Sequence, residues 1–198
     1  MEKMIKTSRG IQTVPLESEH LFKRRIFIEG DITNQTASEF FKQMLELNED
    51  DNSRRIDVYI NSHGGSIPAG LAIIDAIRLS KAPIRTVCLS EAFSMAAVIF
   101  ASGTADRLMF EHSRLMLHQP QVNTVSGSVS SIYSVYQSMN ECRKQINEIL
   151  SSVCRKSIDE INLITAEDRF FNGTQATEFG LADGIADFNV LVFSEVYG

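Results

Sequence analysis

Residues 56–89 read IDVYINSHGGSIPAGLAIIDAIRLSKAPIRTVCL. Ile56–Ile60 is short, apolar and rich in β-branched residues, so it reads as a strand. Asn61-Ser62-His63-Gly64-Gly65 reads as the turn behind it. A helix follows from Ile67 to about Ser80, with Leu71, Ile74 and Ile77 among its apolar positions, and Pro83 ends that segment. Ile84–Leu89 is the next strand. A strand, a crossover helix and a second strand of these lengths imply parallel pairing with a right-handed connection. The fold class that follows is α/β.

The same alternation extends in both directions. Upstream, Arg24–Glu29 is a β-type run closed by Gly30. Thr33 or Asn34 can cap a helix that places Ala37, Phe40, Phe41, Met44, Leu45 and Leu47 on one face. The polar stretch Asn48–Arg55 ends it. Downstream, Ser94–Ala101 reads as a small-residue apolar helix, and Arg107–Phe110 and Arg114–Leu117 as short strands. Most strands are apolar throughout, as expected of a sheet covered on both faces. Residues 1–20 have no clean periodicity and read as an arm. Gln121–Ser131 is rich in Ser, Thr, Val, Asn and Gly and reads as a loop or an exposed strand. Ser130–Lys156 is a long helical candidate, with shorter ones near Ile158–Ile164 and Thr174–Gly180.

With 198 residues, the chain suits one domain. Its 43% hydrophobic and 22% charged residues are ordinary for a globular protein, which argues against disorder. A formal charge of −6 argues against nonspecific binding to nucleic acid or to an anionic membrane. No apolar run approaches the roughly 18 residues of a membrane span, and the first residues do not read as a secretory signal. Cys88, Cys142 and Cys154 are odd in number and lack Cys-x-x-Cys spacing, so free thiols in a reducing cytosol are expected. The four histidines have no ligand spacing, so no metal site is expected.

Four places could carry chemistry. Ser94 follows a β-type run and opens a helix, where a nucleophile would have the next amide, Met95, for an oxyanion. A plain helix N-cap explains the same serine. His118 ends a strand before Gln119-Pro120 and could serve as a general base or as a hydrogen-bonded structural histidine. Asp168 could orient an imidazole or simply pair with Arg169. Gly64-Gly65 could present backbone N–H groups to an oxyanion or form a plain tight turn. The phosphate-loop and dinucleotide fingerprints are absent.

Together these pieces resemble the family of Clp protease proteolytic subunits, over nearly the whole chain. The likeness runs from Thr7-Ser8-Arg9-Gly10 and Arg24-Arg25-Ile26-Phe27 through Tyr59-Ile60-Asn61-Ser62, Gly64-Gly65 and Ala69-Gly70-Leu71-Ala72-Ile73. It continues in Ser94-Met95, Leu117-His118-Gln119-Pro120, Asp168-Arg169-Phe170 and Phe179-Gly180-Leu181-Ala182-Asp183. The resemblance implies a catalytic triad of Ser94, His118 and Asp168, with the amides of Gly65 and Met95 as oxyanion hole. It implies a crotonase-like head of repeated ββα units and a protruding handle, at about residues 121–156, made of a strand and the long helix. It implies a cytoplasmic serine endopeptidase that needs neither metal nor cofactor. Seven-membered rings stacked in pairs would enclose the sites, and a hexameric Clp ATPase would feed them unfolded polypeptides.

The chain departs from the family pattern in four places. His63 stands where proline is usual before the two glycines. The serine motif reads Ser90-Glu91-Ala92-Phe93-Ser94-Met95-Ala96, with Phe93 in place of alanine. Gln121–Gly127 is poor in glycine. Ala166-Glu167 replaces an Asp-Arg pair used in ring–ring contacts. These departures point to a mixed ring with a sister subunit, or to a latent or regulatory ring subunit, as alternatives. A crotonase-fold acyl-CoA enzyme, which shares the two-amide oxyanion hole, is a further reading.

Overall fold

The computed structural model describes residues 1–7, 10–122 and 124–193. Ser8, Arg9 and Asn123, which belong to the first motif and to the handle segment, lie outside the described residues.

The expected arm is a hairpin: β1 (Glu2–Thr7) pairs antiparallel with β2 (Gly10–Pro15), and α1 (Leu16–Phe22) follows. The main sheet begins with β3 (Arg25–Ile32). After α2 (Asn34–Asp50), β4 (Ile56–Gly65), α3 (Ile67–Leu79) and β5 (Ile84–Phe93), the chain has laid down three parallel neighbours. Thr33 caps α2: its hydroxyl accepts the Thr36 amide, and Thr36 reciprocates, in a capping box. Ser66 caps α3, with Pro68 in its first turn.

Two strands run further than the sequence suggests. Asn61–Gly65 is no turn but the last half of β4, where Gly64 and Gly65 pair with Asp31 and Ile32. Strand neighbours on both sides supply ladder partners there, and such tertiary pairing overrides the turn preference of Asn and Gly. Likewise β5 continues through Ser90 and Glu91 to Phe93.

Beyond β5 come α4 (Met95–Ala101), β6 (Arg107–Met109) and β7 (Arg114–Leu117). Strand β5 forks: its first half pairs with β6 and its second half with β7, both parallel. Then α5 (Val129–Cys154) and α6 (Ile158–Ile164) lead to three elements absent from the sequence reading. These are β8 (Arg169–Phe171), β9 (Gly184–Ile185) and α8 (Phe188–Phe193), with α7 (Gly173–Phe179) among them. The β7–β8 pair is antiparallel, so the sheet is parallel only in its main body. No strand forms among the described residues of 121–128, and no described strand pairs with them. Within the segment expected as a handle, α5 is the regular element among the described residues.

The core lies where α2, α3 and α4 pack on one sheet face: Ile26, Ile28, Ile56, Ile60, Ile73, Ile74, Ile77 and Phe100 are buried. The other face is covered only in part. Leu191 of α8 closes over Tyr59 and Val87, whereas Phe27 of the outer strand remains 40% exposed. The two charges inside the strand pattern share that second face as register partners: Asp57 on β4 and Arg85 on β5, both buried. Their ion pair is 2.5 Å, and Arg55 adds a second at 2.9 Å. Pairing makes the burial of these charges tolerable. Cys88 and Cys154 are buried and Cys142 half-buried, all three as free thiols. No described helix is long and apolar enough to cross a membrane.

Candidate active site

Ser94 stands between β5 and α4 with φ 53° and ψ −125°. Few non-glycine residues adopt a positive φ, and such strain persists only where the surroundings enforce it. Here the enforcing contacts are visible. The Ser94 amide donates to the Met116 carbonyl at 2.8 Å, and Ala97 N–H donates to the Ser94 carbonyl at 3.0 Å. The sharp bend turns the hydroxyl out of the helix rather than back onto it, and no cap hydrogen bond forms. Ser94 thus holds the N-cap position of α4 without its side chain acting as a cap.

The hydroxyl instead meets His118: Ser94 Oγ and His118 Nε2 are 2.7 Å apart. His118 follows directly on β7, and Asp168 directly precedes β8. Those strands pair antiparallel with Leu117 opposite Arg169, so the next step of the ladder sets His118 opposite Asp168. Asp168 Oδ1 lies 3.9 Å from His118 Nδ1, and that buried nitrogen has no hydrogen-bond partner among the described residues. Arg169, offered as the alternative partner of Asp168, lies over the ring of Phe171. Gln119 follows His118 directly. Its side-chain amide donates to the Ala166 carbonyl at 3.1 Å and so ties the histidine and aspartate loops together.

Gly64 approaches the serine from the end of β4, at φ 100°, whereas Gly65, at φ 146°, lies against the backbone of Ile32 on β3. A Cβ on Gly64 would stand 2.8 Å from Ser94 Cβ and 3.1 Å from Met95 N. Met95 heads α4, so its amide has no acceptor within the helix. The Met95 N–H thus lies at the bend beside Ser94, while the Gly64 N–H donates to Ser62 Oγ at 3.0 Å. A cavity of about 20 Å³ opens next to Ser94, lined by Ile67, Met95, Val98, Leu117, Ile146 and Leu150. Roomier hollows lie elsewhere, about 520 Å³ between α2 and α3 and about 360 Å³ between α5 and Gln119, Pro120, Val122 and Val125. Neither contains a nucleophile–base pair, so the chemistry points to the smaller one. Among the described residues, no three His, Cys, Asp or Glu side chains gather as a metal site.

Residues 9–189, almost the whole chain, match the sequence family described as Clp protease. The chain belongs to the Clp protease family. The "ATP-dependent Clp protease proteolytic subunit 1" of Rhodopirellula baltica is 39% identical over 166 residues, covering 83% of this chain and 73% of that protein. Within the Clp protease family, the mixed α/β fold with its parallel sheet is the expected crotonase-like head. The signature Phe179–Asp183 finds its physical reason here too. Gly180, at φ 94°, ends α7, and Asp183 grips Arg107 of β6 through both carboxylate oxygens at 2.9 and 2.6 Å. Burial alone would raise the Asp183 pKa, but the hydrogen bonds and charge of Arg107 outweigh it and hold the carboxyl below its ordinary value.

Proposed function

We propose that this chain is a serine endopeptidase subunit that cleaves unfolded polypeptides. The observation that carries the reading is the 2.7 Å contact of Ser94 Oγ with His118 Nε2, backed by Asp168. Ser94 attacks the scissile carbonyl while His118 takes its proton. Asp168 holds the imidazole and stabilises its charged form, and the Gly65 and Met95 amides receive the oxyanion. His118 then protonates the leaving amine, and water releases the acyl-enzyme. The apolar cavity beside Met95 receives the side chain on the acyl side of the bond. No metal or cofactor enters this scheme.

The assembly reading rests on α5. Ile132, Tyr133, Val135 and Tyr136 are exposed on it, and an exposed apolar stripe of this kind suits an interface. Seven-membered rings stacked through these handles, or rings mixed with a sister subunit, would cover it. The relative from Rhodopirellula baltica is named as an ATP-dependent Clp protease subunit, which supports a Clp ATPase as partner; a hexameric ATPase and a cytoplasmic particle complete the proposal.

A second reading has its own support: a ring subunit that is latent until assembled. The 3.9 Å separation of Asp168 from His118, the unpartnered Nδ1 and the nearly filled cavity all favour it. A fluorophosphonate probe tests both. Labelling of the wild-type chain that Ser94→Ala abolishes supports the peptidase. Labelling that survives Ser94→Ala overturns Ser94 as nucleophile. Labelling that appears only in the assembled particle selects the latent form.

A further inference from the structure

The end of the sheet that carries the site alternates strictly between its two faces. Ala92, Leu115 and Phe171 are register partners across β5, β7 and β8, and all three are buried beneath the helices. One residue along, Phe93, Met116 and Phe170 are also register partners, so they share the opposite face. That face is open: Phe170 is 46% exposed. The Phe93 and Phe170 rings meet edge to face at 5.7 Å across Met116. His63, at the end of β4, continues the row with its ring 5.5 Å from Phe93, and Glu91 holds it there through a 2.9 Å contact.

This row runs beside the proposed triad. Phe93 precedes Ser94. Met116 and Phe170 lie two residues from His118 and Asp168, and therefore on the same face as them. The apolar cavity opens beside Ser94 and His118 and runs toward the other face, where Leu117, Ile146 and Leu150 line it. Successive side chains of an extended polypeptide point in opposite directions. A chain laid across Ser94 with one side chain in the cavity must turn the next one toward Phe93 and Phe170.

We infer that Phe93 and Phe170 form an aromatic shelf that selects an apolar side chain on the leaving-group side of the scissile bond. The inference rests on the peptidase reading for the direction of the chain, but the shelf itself is a binding surface. Aromatic rings supply contact area at low entropic cost, and the edge-to-face contact holds both rings in place. The half-buried Met116 between them floors the shelf with an adaptable thioether.

Two peptides that differ only in the residue after the scissile bond, Phe or Ser, test it. For the assembled wild-type protein, kcat/KM should favour Phe by about tenfold, the discrimination typical of an apolar contact. Phe93→Ala and Phe170→Ala should each reduce that ratio toward one, and Phe93→Leu should restore most of it. The preference for the residue before the bond should stay. A general structural defect would lower both peptides together and leave the ratio unchanged. An unchanged ratio in both alanine variants overturns the shelf. Binding of the same peptides to the Ser94→Ala protein, read by fluorescence anisotropy, gives an arm that needs no catalysis. If wild type cleaves neither peptide, the peptidase reading fails. Equal binding of the two peptides in that arm then overturns the shelf as well, whereas tighter binding of the Phe peptide, lost in Phe93→Ala, supports it.

Discussion

Gly64 and Ser94 are packed backbone to side chain: a single added carbon on Gly64 would lie 2.8 Å from the serine's Cβ and 2.7 Å from the carbonyl of Phe93. The positive φ of Gly64 adds a conformational penalty for any other residue. Gly64→Ala must therefore push β4 away from the bend at Ser94. The expected result is a loss of about 1–3 kcal/mol in unfolding free energy and at least a hundredfold slower fluorophosphonate labelling. Urea unfolding and labelling kinetics on the same preparation check both.

Asp57 and Arg85 form the other tight pair, away from the site. Asp57→Ala leaves the Arg85 guanidinium buried with its main counter-charge gone. Removing one partner of a buried pair costs about 3–5 kcal/mol. Chemical denaturation should show that loss. Replacing both residues with apolar ones of similar volume should recover most of it.

Tyr133 and Tyr136 stack on the exposed side of α5 with ring centroids 6.4 Å apart. Their replacement by glutamates should leave the fold of the head intact, since neither contributes to its core. Native mass measurement should then show any double ring reduced to single rings, with peptidase activity falling in parallel. A fully assembled and fully active double variant would remove these tyrosines from the ring contact.

The buried thiols make stability depend on pH at the alkaline end. Burial pushes Cys88 up to about 12 and Cys154 up to about 11, from an ordinary 9. A folded-state pKa above the unfolded one favours folding fully at pH below 9. That contribution falls as pH rises from 9 through 11 and 12, where the unfolded chain ionises first. The midpoint of urea unfolding should therefore drop across this window, and less so in Cys88→Ala once corrected for its cavity. At pH 8 a thiol reagent should modify half-buried Cys142 well before the other two.

Much of this protein could be read along the chain because the signals are local. The cap at Thr33 needs only the three residues after it, and the β4–α3–β5 alternation follows from the period of the apolar residues and from Pro83. Ser94, His118 and Asp168 were legible as candidates because each sits at an element boundary within a recognisable motif. What no local signal carried was the pairing. The fork of β5 between β6 and β7 and the antiparallel return of β8 depend on contacts between residues far apart in the chain. So does the extension of β4 through Asn61–Gly65, where ladder partners on both sides outweighed the turn propensity of the residues themselves. The site inherits that difference. Sequence alone supplied three side chains of the right chemistry. Only the register of β7 against β8 sets His118 opposite Asp168, and only the strained bend at Ser94 turns its hydroxyl toward His118. The row of His63, Phe93 and Phe170 likewise exists only because four strands bring their ends to one edge, and strand order is a property of the folded sheet rather than of any segment within it.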